Sequence, residues 1–516
     1  MSFDVSRRGL LVGLGVGAFL ADAQVMADTD ADLAYRSATD LLQALAARRI
    51  SARELLDAVI TRIEALDAKI NAVVVRDFDR ARAAAGAADA ALARHEGERR
   101  PLLGLPLTVK EQFNVAGLPT SWGWPKFRGW HPGEDAVAVQ RLKAAGAIII
   151  GKTNVPAGLT DWQSYNDIYG TTNNPWDFGR TPGGSSGGSS AALSAGFVSL
   201  ELGSDIGGSL RAPAHFCGVY AHKPSLDLVP QRGAGPPGSP AIPVRGDMSV
   251  AGPMARSAAD LALELNVLAG PDELWDGIGY KLALPPPRHD SLAQFRVLVM
   301  DKHPLCPTAA SVAASLDELS ERLVKLGCTV TRTNSKIPNL GRTTRDYDEL
   351  LMASFSVDLS PDERVRLEAA ATALAPEDLS LTAAELRGFT MSHAAWGQAS
   401  RIRAVLRAQW QDLFQEVDVI LCPPMPTPAF PHDHSPMAKR KIEIDGKTVN
   451  YDDQIAWCAI ATLTGLPATV APVGHSEAGL PVGVQIIGAY LEDRTTIKFA
   501  DLIEHQFGGF RPPPKL

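Results

Sequence analysis

Hydrophobic positions along the chain follow a helical period in some segments and form short apolar runs in others. Ser51–Glu54 is a capping-box sequence. After it, hydrophobic residues from Leu55 to Leu66 recur at helical spacing and predict an amphipathic helix. The apolar run that ends at Val109 predicts a buried strand, and a helix predicted over 135–145 is followed by a strand over 147–150. Further strands are expected over 71–75, 295–300, 329–333, 418–421, 467–473 and 480–487, and further helices end near Arg94, Leu326 and Gln506. This alternation indicates an α/β sheet.

Two longer segments interrupt the alternation. Residues 340–416 carry a mostly helical pattern and are long enough to form a cap over the sheet. Residues 229–245 are rich in proline and glycine and predict a long irregular loop. Loops of this length are often functional, so this loop is a candidate lid or pocket wall.

The first 27 residues have the order of a secretory targeting signal. Arg7 and Arg8 stand directly before an apolar run over 9–21, and small residues suited to cleavage follow at 21–23 and 25–27. The paired arginines resemble those of twin-arginine signals, which implies a periplasmic or secreted protein. The alternative, an uncleaved start on a cytoplasmic protein, stays open here.

Composition and charge exclude several classes of protein. The 516 residues are 45% hydrophobic and 21% charged, which is ordinary for a globular protein. The net charge of -8 leaves no basic surface for nucleic acid, and no apolar run approaches the ~20 residues that a membrane-spanning helix needs. The five cysteines are scattered and lack Cys-x-x-Cys spacing, so neither a disulfide framework nor a zinc site is expected.

The stretch from Gly183 to Ala214 holds two serines, Ser185 and Ser209, that lie within glycine-rich clusters. Glycine lets a backbone adopt positive φ and approach a ligand closely. A single Gly/Ser-rich segment is usually a flexible loop. Here two such clusters are joined by residues 191–202, which are apolar enough to enter a core. The pattern therefore favours a built site over a plain linker.

Two serines and a lysine suggest acyl transfer without histidine. A serine hydroxyl is a poor nucleophile until a base removes its proton. Lys110 follows the strand predicted at Val109, and a lysine acts as a base only when burial or nearby positive charge lowers its pKa. A lysine at a strand end can equally be a surface group with a covered apolar stem. The turn over 205–209 could present several backbone N–H groups to a developing oxyanion.

These segments together resemble the amidase signature family. The resemblance rests on GGSSGG at 183–188, GSDIGGSLRAPA at 203–214 and LPLTVK at 105–110. Three more segments resemble that family in the right order: GKTN at 151–154, TGLPA at 464–468 and GLPVGVQ at 479–485. The match covers roughly residues 35–507. It implies an amidase-signature fold, in which helices cover both faces of a large mixed β-sheet.

The resemblance implies a role for each central residue. Ser209 would be the nucleophile, Lys110 the general base, and Ser185 the relay that passes the proton between them. A cis peptide from Gly184 would hold Ser185 in place. The oxyanion hole would be formed by the backbone N–H groups of Ile206, Gly207, Gly208 and Ser209. No metal and no organic cofactor is implied.

Four neighbouring residues are expected to support this centre. Asp205 and Arg211 would brace the turn, because buried charges need partners. Ser186 and Ser204 lie near enough in the sequence motif to hydrogen-bond the relay and tune it.

Substrate selectivity is less sharply indicated. Trp162 and Tyr165 lie in an aromatic loop beside the glycine-rich site and are candidate walls of an acyl pocket, although packing over the sheet explains them equally well. Glu201 stands where the family usually has a small residue, and His222 precedes a Lys-Pro-Ser segment where a small or hydrophobic residue is commoner. These departures suggest a subgroup.

The predicted function is that of an amidase, which hydrolyses a carboxamide C–N bond to a carboxylate and ammonia or an amine through an acyl-enzyme on Ser209. Two alternatives stay open: an amidotransferase A-type subunit that delivers ammonia to a partner, and a non-catalytic periplasmic binding protein. The export-like N-terminus counts against the first, and the complete triad counts against the second. We expect a small-molecule or peptide amide as substrate, no nucleic acid and no stable membrane span, with a homodimer left open.

The predicted domain organisation follows from the targeting-like N-terminus and from the resemblance to the amidase signature family. Residues 1–27 would be the signal, and residues 28–516 a single amidase domain. Its signature core would lie over about 100–260, with the helical excursion over about 340–416.

Overall fold

The computed structural model describes residues 33–94, 100–243, 245–514 and 516. The signal segment predicted over 1–27 lies outside these residues. Within them, no helix combines the length and the apolar character that crossing a bilayer requires.

The described residues contain fourteen α-helices. They are α1 Ala38–Ala46, α2 Ala52–Ile70, α3 Phe78–Arg94, α4 Val137–Ala144, α5 Gly187–Ser194, α6 Arg211–Cys217, α7 Ala258–Leu268, α8 Ala310–Lys325, α9 Leu340–Phe355, α10 Pro361–Thr372, α11 Leu381–Phe389, α12 His393–Leu413, α13 Ala456–Leu463 and α14 Asp493–Phe507. The capping box predicted before α2 is confirmed: Ser51 Oγ accepts the Glu54 N–H at 3.1 Å, and Glu54 Oε2 accepts the Ser51 N–H at 2.8 Å. The predicted helical excursion contains α9 to α12.

The described residues also contain fifteen strands. They are β1 Val73–Arg76, β2 Pro106–Lys110, β3 Ile148–Thr153, β4 Tyr165–Asn166, β5 Gly170–Thr171, β6 Leu200–Asp205, β7 Tyr220–Lys223, β8 Val250–Ala255, β9 Arg296–Val299, β10 Thr329–Thr331, β11 Val419–Cys422, β12 Lys441–Ile444, β13 Lys447–Asn450, β14 Ala468–His475 and β15 Pro481–Ile487. β4 with β5 and β12 with β13 form two short antiparallel pairs.

The other eleven strands form one mixed sheet in the order β1-β3-β2-β6-β8-β7-β14-β15-β11-β9-β10. β3, β2 and β6 run parallel, as do β11, β9 and β10 at the other end. Every pairing from β6 through β8, β7, β14 and β15 to β11 is antiparallel. The mixed α/β architecture that the sequence predicted is confirmed.

Alternate residues of β11 enter two different hydrophobic cores. Val419 and Leu421 pack in the core that includes residues of α8 and α14. Ile420 and Cys422 pack in a second core with residues of α12 and α13. Since successive side chains of a strand point to opposite faces, this sheet has a helical layer on each face.

The sequence did not predict several elements. β7 and β8 lie near the middle of the sheet, α7 packs on both of them, and α13 shares a hydrophobic core with β11 and β15. The hairpin of β12 and β13 was also not predicted. The elements that were predicted form at the expected places, with ends displaced by a few residues.

Candidate active site

Lys110 and Asp205 end two neighbouring parallel strands. β2 pairs with β6 so that Val109 lies opposite Leu202, and the C-terminal ends of the two strands therefore meet at the same edge of the sheet. α5 begins just after Ser185, and α6 begins just after Ser209. α5 packs on β2 and β6 and also contacts α6. The two serines and the lysine thus come from three segments that converge at this edge.

Lys110 is completely buried and contacts two serine hydroxyls. Its Nζ lies 2.6 Å from Ser185 Oγ and 2.8 Å from Ser204 Oγ. Ser204 Oγ in turn donates to Gln112 Oε1 at 2.5 Å. Burial lowers the pKa of Lys110 to about 7, although the negative charges of Asp205 and Glu201 act to raise it. A large fraction of the amine is therefore neutral near neutral pH and can accept a proton.

Ser185 follows a cis peptide bond from Gly184, as the resemblance implied. A Cβ on Gly184 would collide with the carbonyl oxygen of Asp161, so only glycine fits there. The next residue joins the two serine segments, because the Ser186 N–H donates to the Ser209 carbonyl at 3.1 Å. Ser186 Oγ also donates to the Ser204 carbonyl at 3.3 Å. Ser186 thus connects backbones, whereas Ser204 contacts Lys110.

Asp205 organises the turn that carries Ser209. Its carboxylate accepts the N–H of Gly208 at 2.9 Å and the N–H of Leu210 at 3.0 Å. Arg211 completes the arrangement with Nη2 2.8 Å from Asp205 Oδ1, and neither side chain is exposed. Burial acts to raise the pKa of Asp205, but the charge and hydrogen bonds of Arg211 outweigh it and lower the pKa to about 2. The bracing role expected for both residues agrees with these contacts.

One of the four N–H groups expected in the oxyanion hole already has an acceptor in the structure. The Gly208 N–H donates to Asp205 Oδ1 at 2.9 Å, because this carboxylate stands at the start of the turn. Within the described part of the chain, the N–H groups of Ile206, Gly207 and Ser209 have no hydrogen-bond acceptor. These three remain candidates to hold an oxyanion.

Two aromatic side chains fix the carbonyls of the same turn. Tyr347 Oη donates to the Ile206 carbonyl at 2.7 Å, and Trp162 Nε1 donates to the Gly207 carbonyl at 2.9 Å. A carbonyl and the following N–H point in opposite directions across a trans peptide plane. The bond from Tyr347 therefore also sets the direction of the Gly207 N–H. Sequence reasoning missed Tyr347, which lies in the helical excursion on α9.

Arg211 has further partners that sequence reasoning did not find. Its guanidinium donates to the Cys458 carbonyl at 2.9 Å, to Thr462 Oγ1 at 2.7 Å and to Gln485 Oε1 at 2.7 Å. Cys458 and Thr462 lie on α13, and Gln485 lies on β15. Only Gln485 belonged to a segment that the sequence singled out, the GLPVGVQ motif.

The departure at Glu201 lies close to Lys110 in the sheet. Glu201 is fully buried on β6, opposite Thr108 of β2, two residues before Lys110. Burial raises the pKa of this carboxyl to about 7. The departure at His222 is remote from Lys110: its Nδ1 lies 2.9 Å from Thr469 Oγ1 and its Nε2 lies 3.0 Å from Asp493 Oδ1.

The two residues named for substrate binding differ in position. Trp162 is buried against the turn that carries Ser209, and the centroid of its ring lies 5.5 Å from that of Tyr451. Tyr165 stacks on His434 with ring centroids 3.8 Å apart, and Arg440 Nη2 donates to its hydroxyl at 2.6 Å. The structure brings Trp162 to the turn of Ser209, whereas Tyr165 contacts His434 and Arg440.

Comparison with known proteins agrees with this architecture. The family model described as Amidase matches residues 54–497. The chain therefore belongs to the amidase family and is an enzyme that acts on amide bonds.

One relative and two solved structures show which proteins this chain is similar to. The chain is 32% identical over 495 residues to the A-type subunit of a glutamyl-tRNA(Gln) amidotransferase from Anaeromyxobacter sp. (strain K), covering 91% of this chain and 96% of the relative. A solved structure from a vestigial protein complex linked to the origins of an s-triazine catabolic enzyme matches with a TM-score of 0.77 and 29% identity, over 91% of this chain and 98% of that one. A fatty acid amide hydrolase shares the fold, with a TM-score of 0.76 and 21% identity over 93% and 86% of the two chains.

Proposed function

We propose that this chain hydrolyses a carboxamide through an acyl-enzyme on Ser209, with Ser185 as proton relay and Lys110 as general base. The observation that carries the proposal is the 2.6 Å separation of Lys110 Nζ and Ser185 Oγ in a site with no exposure of the lysine. A buried neutral amine in contact with a hydroxyl is the arrangement that proton removal requires.

In the proposed first step, Lys110 takes the proton of Ser185, and Ser185 takes the proton of Ser209. Ser209 Oγ then attacks the amide carbon, and the carbonyl oxygen becomes an oxyanion. The free N–H groups of Ile206, Gly207 and Ser209 would hold that charge. The proton returns through Ser185 to the nitrogen, the C–N bond breaks, and ammonia or an amine leaves.

In the proposed second step, water replaces the amine. The same relay removes a proton from the water, which attacks the acyl carbon of the ester on Ser209. Collapse of the second oxyanion returns the proton to Ser209 Oγ and releases the carboxylic acid, which ionises to the carboxylate by giving its proton to water or to the released amine. Every proton lost is regained, and the enzyme ends in its starting state.

A second candidate is a component of an amidotransferase that passes the released ammonia to a partner. The names of the curated relatives favour this candidate over a stand-alone amidase, at 32% identity over 91% of the chain. The chemistry at Ser209 would be the same. The two differ in whether the chain acts alone and in where the ammonia goes.

The export signal proposed for residues 1–27 bears on this choice. Export through the twin-arginine route would place the chain away from aminoacyl-tRNA. Fractionation of cells that express the full chain, followed by N-terminal sequencing, tests this directly: a periplasmic product trimmed near residue 27 supports export, and an intact cytoplasmic product contradicts it.

The decisive experiment measures ammonia and amine release from aliphatic, aryl and peptide amides and from L-glutamine. The purified chain is compared with Ser209→Ala and with Ser190→Ala, a control on α5 whose hydroxyl donates to the Pro182 and Gly187 carbonyls. Loss of release in Ser209→Ala alone supports the proposal, and equal release in all three proteins contradicts it. Glutamine hydrolysis that requires the remaining subunits of a glutamyl-tRNA(Gln) amidotransferase identifies the second candidate.

A further inference from the structure

A chain of four hydrogen bonds joins the proline- and glycine-rich loop over 229–245 to the proposed proton relay. The Ala234 carbonyl accepts from Gln112 Nε2 at 3.0 Å, and Gln112 Oε1 accepts from Ser204 Oγ at 2.5 Å. Lys110 Nζ lies 2.8 Å from Ser204 Oγ and 2.6 Å from Ser185 Oγ. All five residues are buried. The proposed base is therefore one member of a buried polar chain that begins in the backbone of a distant loop.

The partners of the Gln112 side chain fix the orientation of its amide group. A backbone carbonyl can only accept a hydrogen bond, so the NH2 group of Gln112 must face Ala234. The amide oxygen, which can only accept, then faces Ser204. The Ser204 hydroxyl has a single proton, and this proton is directed to Gln112. The lone pairs of the Ser204 oxygen are therefore left to face Lys110.

The loop backbone that orients Gln112 is itself held in place. The Gly233 carbonyl accepts the Asn114 N–H at 3.0 Å. Gly233 has φ 80°, and a Cβ there would collide with the Cα of Ala136, the residue before α4. These contacts fix the segment that carries the Ala234 carbonyl. The orientation of the Gln112 amide is thus set by the folded chain before any substrate binds.

The direction of the Ser204 hydroxyl decides which proton the amine of Lys110 can accept. A neutral amine has two N–H groups and one lone pair, and only the lone pair can take a proton. Because Ser204 gives its own proton to Gln112, it can only accept from Lys110, and the lone pair stays available to Ser185. Without Gln112, the Ser204 hydroxyl would be free to turn and donate to that lone pair. It would then compete with Ser185 for the base.

We propose that Gln112 is a positioning residue for the amide hydrolysis: it directs the Ser204 hydroxyl away from Lys110, so that the lysine lone pair is reserved for Ser185. Gln112 acts through Ser204 and not on the substrate. Sequence reasoning expected Ser204 to tune the relay but did not single out Gln112, which lies two residues after Lys110. This inference rests on the proposed relay from Ser209 through Ser185 to Lys110.

The kinetic test is a double-mutant cycle on Gln112 and Ser204, with an amide that the wild type hydrolyses. Gln112→Met removes the acceptor and keeps the length of the side chain. We expect kcat to fall about tenfold, the effect of about one hydrogen bond, with KM unchanged. In a Ser204→Ala background the competing hydroxyl is absent, so Gln112→Met should change kcat by no more than about twofold. An equal fall in both backgrounds would overturn the inference, because Gln112 would then act independently of Ser204.

A matched control distinguishes this role from a general loss of packing. Gln163 is also buried, and its amide donates to the Asp433 carbonyl at 2.8 Å and accepts the Asp433 N–H at 2.9 Å. Denaturant titration should show that Gln163→Met and Gln112→Met both destabilise the fold, whereas only Gln112→Met should lower kcat. A similar fall of kcat in both variants would assign the effect to lost packing and overturn the inference.

A labelling test separates this inference from the proposed function. Phenylmethanesulfonyl fluoride reacts with an activated serine: the serine oxygen bonds to sulfur, fluoride leaves, and the serine proton passes through the relay to Lys110. Peptide mass spectrometry measures the rate at which Ser209 is labelled, and no amide is needed. We expect labelling to be about tenfold slower in Gln112→Met than in the wild type and Gln163→Met.

The outcomes of the labelling test are distinct. Equal rates in the wild type, Gln112→Met and Gln163→Met overturn the inference, even if amides are hydrolysed. Slower labelling in Gln112→Met that disappears as a difference in the Ser204→Ala background supports the inference. If that result is obtained and no amide is hydrolysed, only the proposed amide hydrolysis is overturned.

Discussion

Arg211 and Asp205 form a doubly bonded ion pair in which neither side chain is exposed. Nε lies 3.0 Å from Oδ2, and Nη2 lies 2.8 Å from Oδ1. The same carboxylate accepts N–H groups of the turn that carries Ser209, and the same guanidinium donates to α13 and β15. The pair therefore connects the turn that carries Ser209 to a distant part of the chain.

Replacing Arg211 by methionine should lower the free energy of unfolding by about 3–5 kcal/mol, because Asp205 is left buried and uncompensated. Denaturant titration at neutral pH measures this. The control is Arg53→Met, whose partner Asp57 is about half exposed, and it should cost no more than about 1 kcal/mol. Similar values for the two variants would contradict the role assigned to the buried pair.

The rate should depend on the protonation of Lys110. Because burial brings the pKa of Lys110 to about 7, kcat/KM should fall as the pH drops below about 7 and the amine becomes protonated. Lys110→Arg keeps a positive charge but cannot accept a proton near neutrality, so it should lose about 10²- to 10⁴-fold in rate. A pH–rate profile measures both effects. A flat profile from pH 5 to 8 would rule out Lys110 as the base.

The lowered pKa of Lys110 should also make the free energy of unfolding depend on pH. Its folded pKa of about 7 lies below the unfolded value of about 10.4, so the unfolded chain binds more protons between these pH values. The free energy of unfolding therefore rises with pH across this window. Lys110→Met should reduce that slope by up to about 1.4 kcal/mol per pH unit. Denaturant titrations from pH 7 to 10 give the slope, and an unchanged slope would show that the pKa of Lys110 is not depressed.

Gly208→Ala should disable the turn. Gly208 has φ 95°, which L residues rarely adopt, and a Cβ there would collide with Cys458 Sγ. We expect a loss of about 1–3 kcal/mol in stability, with a loss of activity as Ser209 shifts. The double variant Gly208→Ala/Cys458→Ala removes the collision but not the backbone cost, so it should recover only part of the loss. Complete recovery would assign the whole effect to the collision.

Tyr347→Phe should slow the chemical step with little change in fold. The variant loses one hydrogen bond to the Ile206 carbonyl, and with it the fixed direction of the Gly207 N–H. A loss of about 1 kcal/mol in transition-state stabilisation predicts a roughly fivefold lower kcat. Tyr490→Phe serves as the control, since its hydroxyl donates to the Leu226 carbonyl away from the turn. Equal effects of the two substitutions on kcat would show that the hydrogen bond from Tyr347 has no specific effect on the reaction.

The parts of the site that were predictable from sequence are local. Ser185, Ser209 and Asp205 lie in short glycine-rich motifs, and Lys110 follows an apolar run that is a strand. Tyr347 contacts a carbonyl 141 positions away along the chain. Such a contact leaves no periodic or motif signal near either residue, so only the folded structure shows it. The partner of the Gly208 N–H could not be predicted from the sequence either, because several neighbouring groups can donate to the Asp205 carboxylate.

The residues of the unpredicted strands explain why the sequence pattern did not indicate them. β8 carries Gly252 and Pro253 in its middle, residues that normally argue against a central strand, yet Pro253 lies opposite Leu202 in the antiparallel pair with β6. The hairpin of β12 and β13 did have a usable signal. Asp445 and Gly446 both have positive φ, at 49° and 76°, and an Asp-Gly pair between alternating residues typically indicates a two-residue turn.

The partners of Arg211 on α13 and β15 are synthesised late, so the turn of Ser209 cannot be completely braced until most of the chain has been made. The ribosome releases Lys110, Ser185 and Ser209 well before it releases Thr462 and Gln485. An emerging chain thus contains the three residues of the proposed triad while the Arg211 guanidinium still lacks these acceptors. We expect catalysis to begin only when translation is nearly complete, and prematurely terminated products to be inert.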